Sequence, residues 1–325
     1  MKSLFRLASA ALVSAALLAG CGGSGKVYQP LRPTALYTFG DGIVDAGQQG
    51  GKRYTINPAP PANPSDPVGV VYSAPEYIAM AYGLTLKAQS AGGTAWGQGG
   101  SRIADLRTQI DAQAAVMGFA GYSRNDLIVL SAGMEDLIAE TENVLSGATP
   151  SISQAQANIR AAVASYGQAM LQLHNQGARY IYILPPYDLS QSPWMTTQRA
   201  ADARAPNVYL DLYLTFRSAL DAEAERVNGQ TQSLYRSPSF ATRMGYYTDP
   251  SNNQNNAGTS ITDTALCAGA GATDASLCTT ATLITTDSAQ IGKYLYADNR
   301  HPVPGVLNLL ANGSVSELQS RWGEP

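Results

Sequence analysis

The scarce reactive side chains mark where chemistry can lie in this sequence. The chain has 325 residues but only two histidines, His174 and His301, and three cysteines, Cys21, Cys267 and Cys278. So few histidines exclude a His-rich metal centre. His174 lies in LQLHNQG and reads as a helix-terminal or core residue. His301 closes the stretch DNRH, three residues after Asp298, in a late loop. A carboxylate and an imidazole together can activate water for hydrolysis. Cys267 and Cys278 flank AGAGATDASL, too few ligands for a metal. With Cys21 set aside they form one pair, expected to be a disulfide in an oxidising compartment.

Those residues need elements to hold them. Leu36–Phe39 is a short β-prone run stopped by Gly40-Asp41-Gly42. Asp126–Leu130 is an apolar run ending at Ser131-Ala132-Gly133, and Tyr180–Leu184 is a third, stopped by Pro185-Pro186. Between them, Ala74–Tyr82 reads as a helix with Pro75 in its first turn. Ile103, Leu106 and Ile110 recur at helical spacing, and Ser153–Gln176 is a long Ala-rich helix closed by Gly177. Val208–Val227 is a further helix, and a last one begins after His301-Pro302. Residues 50–73 are Pro-rich and irregular, and residues 237–293 read mostly as loop. Strands alternating with helices predict an α/β fold with a parallel sheet covered on both faces. Reactive groups then belong on loops beyond the carboxyl ends of the strands. Neither a repeat nor an internal linker is apparent, so residues 35–325 read as one domain.

The N-terminus reads as an address. Lys2 and Arg6 precede the apolar run Leu7–Ala19, too short for a membrane span and typical of a signal-peptide core. The run ends in LAGC, which resembles a bacterial lipobox with Cys21 as the lipidated residue. Residues 1–20 are then the signal peptide and 21–34 a lipidated Cys with a flexible tether. Gly22 after Cys21 suits an outer-membrane destination. The expected location is the bacterial envelope, and the expected partner is a membrane.

Composition narrows the partners. Charged residues are 14% of the chain and the net charge is −3. With no basic stripe, a nucleic-acid partner is not expected. The three tryptophans, Trp96, Trp194 and Trp322, suit packing. Eighteen tyrosines against five phenylalanines suggest partly wet aromatic surfaces, compatible with glycan or lipid contact.

Four blocks now fall into one pattern. FGDGIVDAG (Phe39–Gly47), AWGQGGSR (Ala95–Arg102), GMEDL (Gly133–Leu137) and DNRH (Asp298–His301) follow one another along the chain. In content and order they resemble the GDSL family of lipases and esterases, also called SGNH hydrolases. The resemblance implies a three-layer α/β/α, flavodoxin-like fold with about five parallel strands, and no cofactor. It also implies an ester-hydrolysing mechanism. A Ser in the first block attacks the carbonyl, and a His in the last block, oriented by an Asp three residues earlier, takes its proton. The oxyanion is held by the Ser N–H, a Gly N–H and an Asn side chain.

On this chain the matching positions are Asp298 and His301 for the dyad, Gly99 for the glycine donor, and Asp41, Asp45 and Gly47 for the loop. Two positions depart. The nucleophile position is Gly42, which keeps an N–H but has no attacking atom, and the Asn position is Glu135. Removing the Ser from a serine protease costs on the order of 10⁶ in turnover. Losing one oxyanion donor costs about 3–4 kcal/mol, and an ionised Glu adds a like charge. Both losses together point to a catalytically degenerate relative that binds an acyl ester, glycan or lipid in a retained cleft. The alternative is a hydrolase working through Asp298–His301 with activated water or a non-standard nucleophile, Asp41 among them. A metal held by Glu135, Asp298 and His301 has only inferred proximity behind it and is not expected. Glu135 has three candidate partners, Arg102, Arg300 and His301, any of which would plug the cleft.

Overall fold

The computed structural model describes residues 31–59 and 71–323. Four strands form one parallel sheet in the order β1 (Leu36–Gly40), β2 (Leu127–Ser131), β3 (Tyr180–Ile183), β4 (Leu234–Arg236). The register runs Leu36 opposite Leu127, Leu127 opposite Tyr180 and Ile181 opposite Leu234. About five strands were expected, and the fifth lane is present in reduced form. Residues 94–98 run beside the free edge of β1, where Trp96 N–H donates to Thr38 O and Gln98 N–H to Gly40 O. Glycines 97, 99 and 100 leave this lane too weak to extend as a strand. Counted with it, the lanes follow chain order 2-1-3-4-5, and the order reverses at β1. A ligand crevice belongs beyond the carboxyl ends at that reversal.

Helices cover both faces. α1 (Ala74–Ala81), α7 (Pro238–Tyr247) and α9 (Pro304–Trp322) pack together on one side, while α2 (Leu106–Met117), α3 (Met134–Ser146), α4 (Ile152–Asn175) and α6 (Ala205–Thr231) form the other. α5 (Pro193–Ala201) leans on α6, and the short α8 (Ser288–Ile291) lies in the late loop. β2 is buried along its whole length, as an apolar central strand requires.

Some expectations shift. Residues 237–293 contain a ten-residue helix, α7, started by Ser237, whose hydroxyl accepts from Phe240 N–H. Its apolar spacing is hidden among polar residues, and the capping serine is the signal that marks it. Leu31, expected in the tether, is buried, and its N–H donates to Trp322 O. Six tyrosines (166, 182, 187, 209, 247 and 296) are among the largest fully buried side chains, so part of the aromatic surplus builds core rather than wet surface. The signal-peptide and Cys21 expectations lie outside the described residues.

Candidate active site

The sheet delivers two loops to the reversal point. β1 ends at Gly40, whose φ of +129° belongs to glycine, and a β-carbon there would strike Ser131 O. The chain then turns into a short 3-10 turn, Gly42–Val44, started by Asp41, whose Oδ1 accepts from Ile43 N–H at 3.2 Å. Asp45 shapes the next turn. Its Oδ1 accepts from Gly47 and Gln48 N–H, both at 2.8 Å, and its Oδ2 from Gly99 N–H at 3.0 Å. The Gly99 N–H, expected as an oxyanion donor, is therefore already engaged, because the buried Asp45 carboxylate needs it. Gly42 N–H has no acceptor among the described residues.

The late loop brings in the dyad. Asp298 is fully buried and takes N–H groups from Arg300, from His301 and, at 2.9 Å, from Ala275. His301 Nδ1 lies 2.8 Å from Asp298 Oδ2. Burial alone would push the Asp298 carboxyl up, but the His301 charge, its hydrogen bonds and Arg300 outweigh it, and the net shift is downward. An ionised carboxylate only accepts, so Nδ1 carries a proton and Nε2 is the nitrogen left to face outward. It faces Gly42: a β-carbon built on Gly42 would sit 2.8 Å from Nε2.

The sequence did not reveal what fills this space. Tyr54, from the irregular stretch after the first block, lies against both glycines. A β-carbon on Gly42 would come within 2.9 Å of Tyr54 Cγ, and one on Gly99 would overlap the ring near the hydroxyl. The Tyr54 and His301 rings stand 5.0 Å apart, tilted by 57°. Burial, with Asp274 and Asp45 nearby, pushes the Tyr54 hydroxyl up to about 12, against an opposing hydrogen bond with Ser276. Thr55 Oγ donates to Pro302 O, and the Asn57 amide holds the carbonyls of Ala275 and Cys278. The Cys267–Cys278 disulfide, with Cα atoms 5.7 Å apart, thus braces the loop that supports both Asp298 and Tyr54. No sequence motif marks Tyr54, because its role comes from two distant glycines making room.

Glu135 pairs with Arg300 across a 3.1 Å ionic contact, with both side chains largely buried. Of its three candidate partners, Arg300 takes it. Asp41 is buried, and its Oδ2 lacks a hydrogen-bond partner among the described residues. Burial first, and the Glu135 charge second, push its carboxyl up to about 7. The remaining candidates are elsewhere. His174 is at the opposite end of the sheet with Nδ1 2.9 Å from Ser233 Oγ, and Trp194 and Trp322 are buried in packing. Trp96 is tied to Gln113.

The first, second and last blocks converge on one crevice, with the third entering through Glu135. The model of the GDSL-like Lipase/Acylhydrolase family matches residues 36–312, from the first strand to within the final helix. The chain belongs to the GDSL-like lipase/acylhydrolase family. No curated protein matches it.

Proposed function

We propose that this chain is a lipid-anchored envelope member of the family whose ester-hydrolysing centre has degenerated, and that it binds an acylated ligand without turning it over. The observation that carries the proposal is the space at Gly42. The nucleophile has no atom, and the volume its side chain would need is held by Tyr54 and His301. The engaged Gly99 N–H and the Glu135–Arg300 pair support the same reading, since both remove positive donors from the place where an oxyanion would form. The anchor rests on the LAGC stretch at Cys21. Among the described residues, no helix is long and apolar enough to cross a membrane.

Ligand binding is supported by an adjoining cavity of about 350 Å³, lined mostly by apolar side chains including Ile56, Ile291, Val303, Val306 and Leu309. Ile56 is two residues from Tyr54 and Val303 two from His301. An acyl chain of an ester, acylated glycan or lipid suits such a lining. A second reading has one observation in its favour. His301, oriented by Asp298 and with Nε2 facing Gly42, is arranged as a general base for water.

Hydrolysis of p-nitrophenyl esters separates the two. The proposal expects the full chain to be silent and His301→Ala to change nothing. Turnover abolished by His301→Ala would overturn it in favour of water activation.

A further inference from the structure

The end of the domain opposite the crevice carries an unusual surface. There the strands begin, and there the described chain begins: Leu31 N–H is bonded to Trp322 O, Thr34 N–H to Asn125 O, and Leu127 N–H to Ala35 O. Helix α2 descends to this end and finishes in VMGFAG. Phe119 on that tip is fully exposed and Val116 is 70% exposed. Around the tip, Tyr122 N–H bonds Gln176 O, which brings the start of β3 alongside.

Three exposed arginines share this end: Arg32, Arg124 and Arg179. None has a carboxylate partner among the described residues, and Arg179 bonds only the carbonyls of His174 and Ala178 and the His174 ring. The nearby acids are engaged. Asp126 is buried under Thr34 and Ser123, and Asp111 accepts from Gln172. A net-negative protein therefore places an exposed phenylalanine at the same end as three arginines that have no carboxylate partner among the described residues.

We infer that this end, which carries Phe119 and Val116 together with Arg32, Arg124 and Arg179, docks on an anionic phospholipid surface and turns the crevice away from it. The inference rests on the anchoring of Cys21. Ten residues separate Cys21 from Leu31, a reach of at most about 35 Å, so the surface is always within range. An aromatic side chain suits the headgroup boundary, and arginines near an anionic leaflet add attraction that salt weakens. The cavity lined by Ile56 and Val303 lies at the other end of the strands and stays accessible.

The test uses the full chain reconstituted in phosphatidylethanolamine vesicles containing phosphatidylglycerol. Cys21 is lipidated and Cys267–Cys278 is bonded, so Phe119→Cys supplies a single thiol for an environment-sensitive dye. Ala104→Cys, exposed near the other end of α2 and about 20 Å away, is the comparison. Nitroxide lipids should quench the label at 119 and leave the one at 104 unaffected. Arg32→Glu, Arg124→Glu and Arg179→Glu together should reduce that quenching roughly threefold or more. Equal quenching at both positions, or none at 119, overturns the inference. Recovery of lipidated chain in washed membranes tests the anchor separately. If that fails, Cys21→Ser keeps the introduced cysteine as the single free thiol, and the same label comparison with added vesicles still decides the docking face.

Discussion

His301 Nε2 lies 2.8 Å from the point where a β-carbon on Gly42 would stand. Real β-carbons do not come that close, so the imidazole has settled into room that a side chain at residue 42 would need. Gly42→Ser must therefore displace His301 or Tyr54. The single reversion should lower stability by about 1–3 kcal/mol, as overpacking does, and should yield no esterase turnover. Urea unfolding and a p-nitrophenyl ester assay check the two parts.

Tyr54 is the larger obstruction. Truncation by Tyr54→Ala removes a buried ring and should cost about 3 kcal/mol of stability. It should also open the crevice toward Ile56 and Val303 and tighten binding of a fatty-acyl probe. Gly42→Ser with Glu135→Asn should stay silent while Tyr54 is present and gain turnover when Tyr54→Ala is added. Turnover by the double variant alone would show that the ring yields to substrate.

Much of this site could be read from residue types. The strand ends, the spacing of Asp298 and His301 and the residue types at 42 and 135 are local features of the chain. Their consequences are not local. Gly99 looks like a free donor until Asp45, fifty-four residues earlier, is seen to accept its N–H. Tyr54 carries no periodic signal, because its place is set by absent β-carbons on two separate loops. The disulfide was expected from two cysteines, but its link to Asp298 runs through a backbone N–H, that of Ala275, which no residue type announces. Helix α7 was lost in an Asn- and Thr-rich background, where only the Ser237 cap marks it.

The Glu135–Arg300 pair couples the third block to the dyad loop. Arg300→Ala leaves a largely buried carboxylate beside Asp41 and should cost about 3 kcal/mol. Adding Glu135→Gln should recover much of that loss, since no unpaired charge remains. A double-mutant cycle by chemical denaturation measures the coupling, and strict additivity would mean that the pair holds nothing together.

Removing the disulfide with Cys267→Ser and Cys278→Ser should cost about 3 kcal/mol for a loop of this length. The loss should also reach the site. Ala275 N–H holds Asp298, and the Asn57 amide ties the carbonyls of Ala275 and Cys278 to the stretch that carries Tyr54. Histidine NMR should therefore show His301 changed, with His174 unaffected at the far end of the sheet.

The buried Asp41 sets an unusual pH dependence. Its carboxyl is raised from 3.8 to about 7, first by burial and then by Glu135. Between those values the folded chain holds a proton that the unfolded chain has released. Stability from this group therefore falls as pH rises from about 4 to about 7, by at most about 1.4 kcal/mol per pH unit, and is level above that. Asp298 runs the other way: its lowered carboxyl contributes stability above its unfolded value and loses it as pH falls through the folded one. Asp41→Asn keeps an oxygen to accept from Ile43 N–H and removes the titration. The variant should flatten the stability curve between pH 4 and 7 and gain most at pH 7. Denaturation midpoints across that range measure it, and an unchanged slope in Asp41→Asn would assign the dependence to another group.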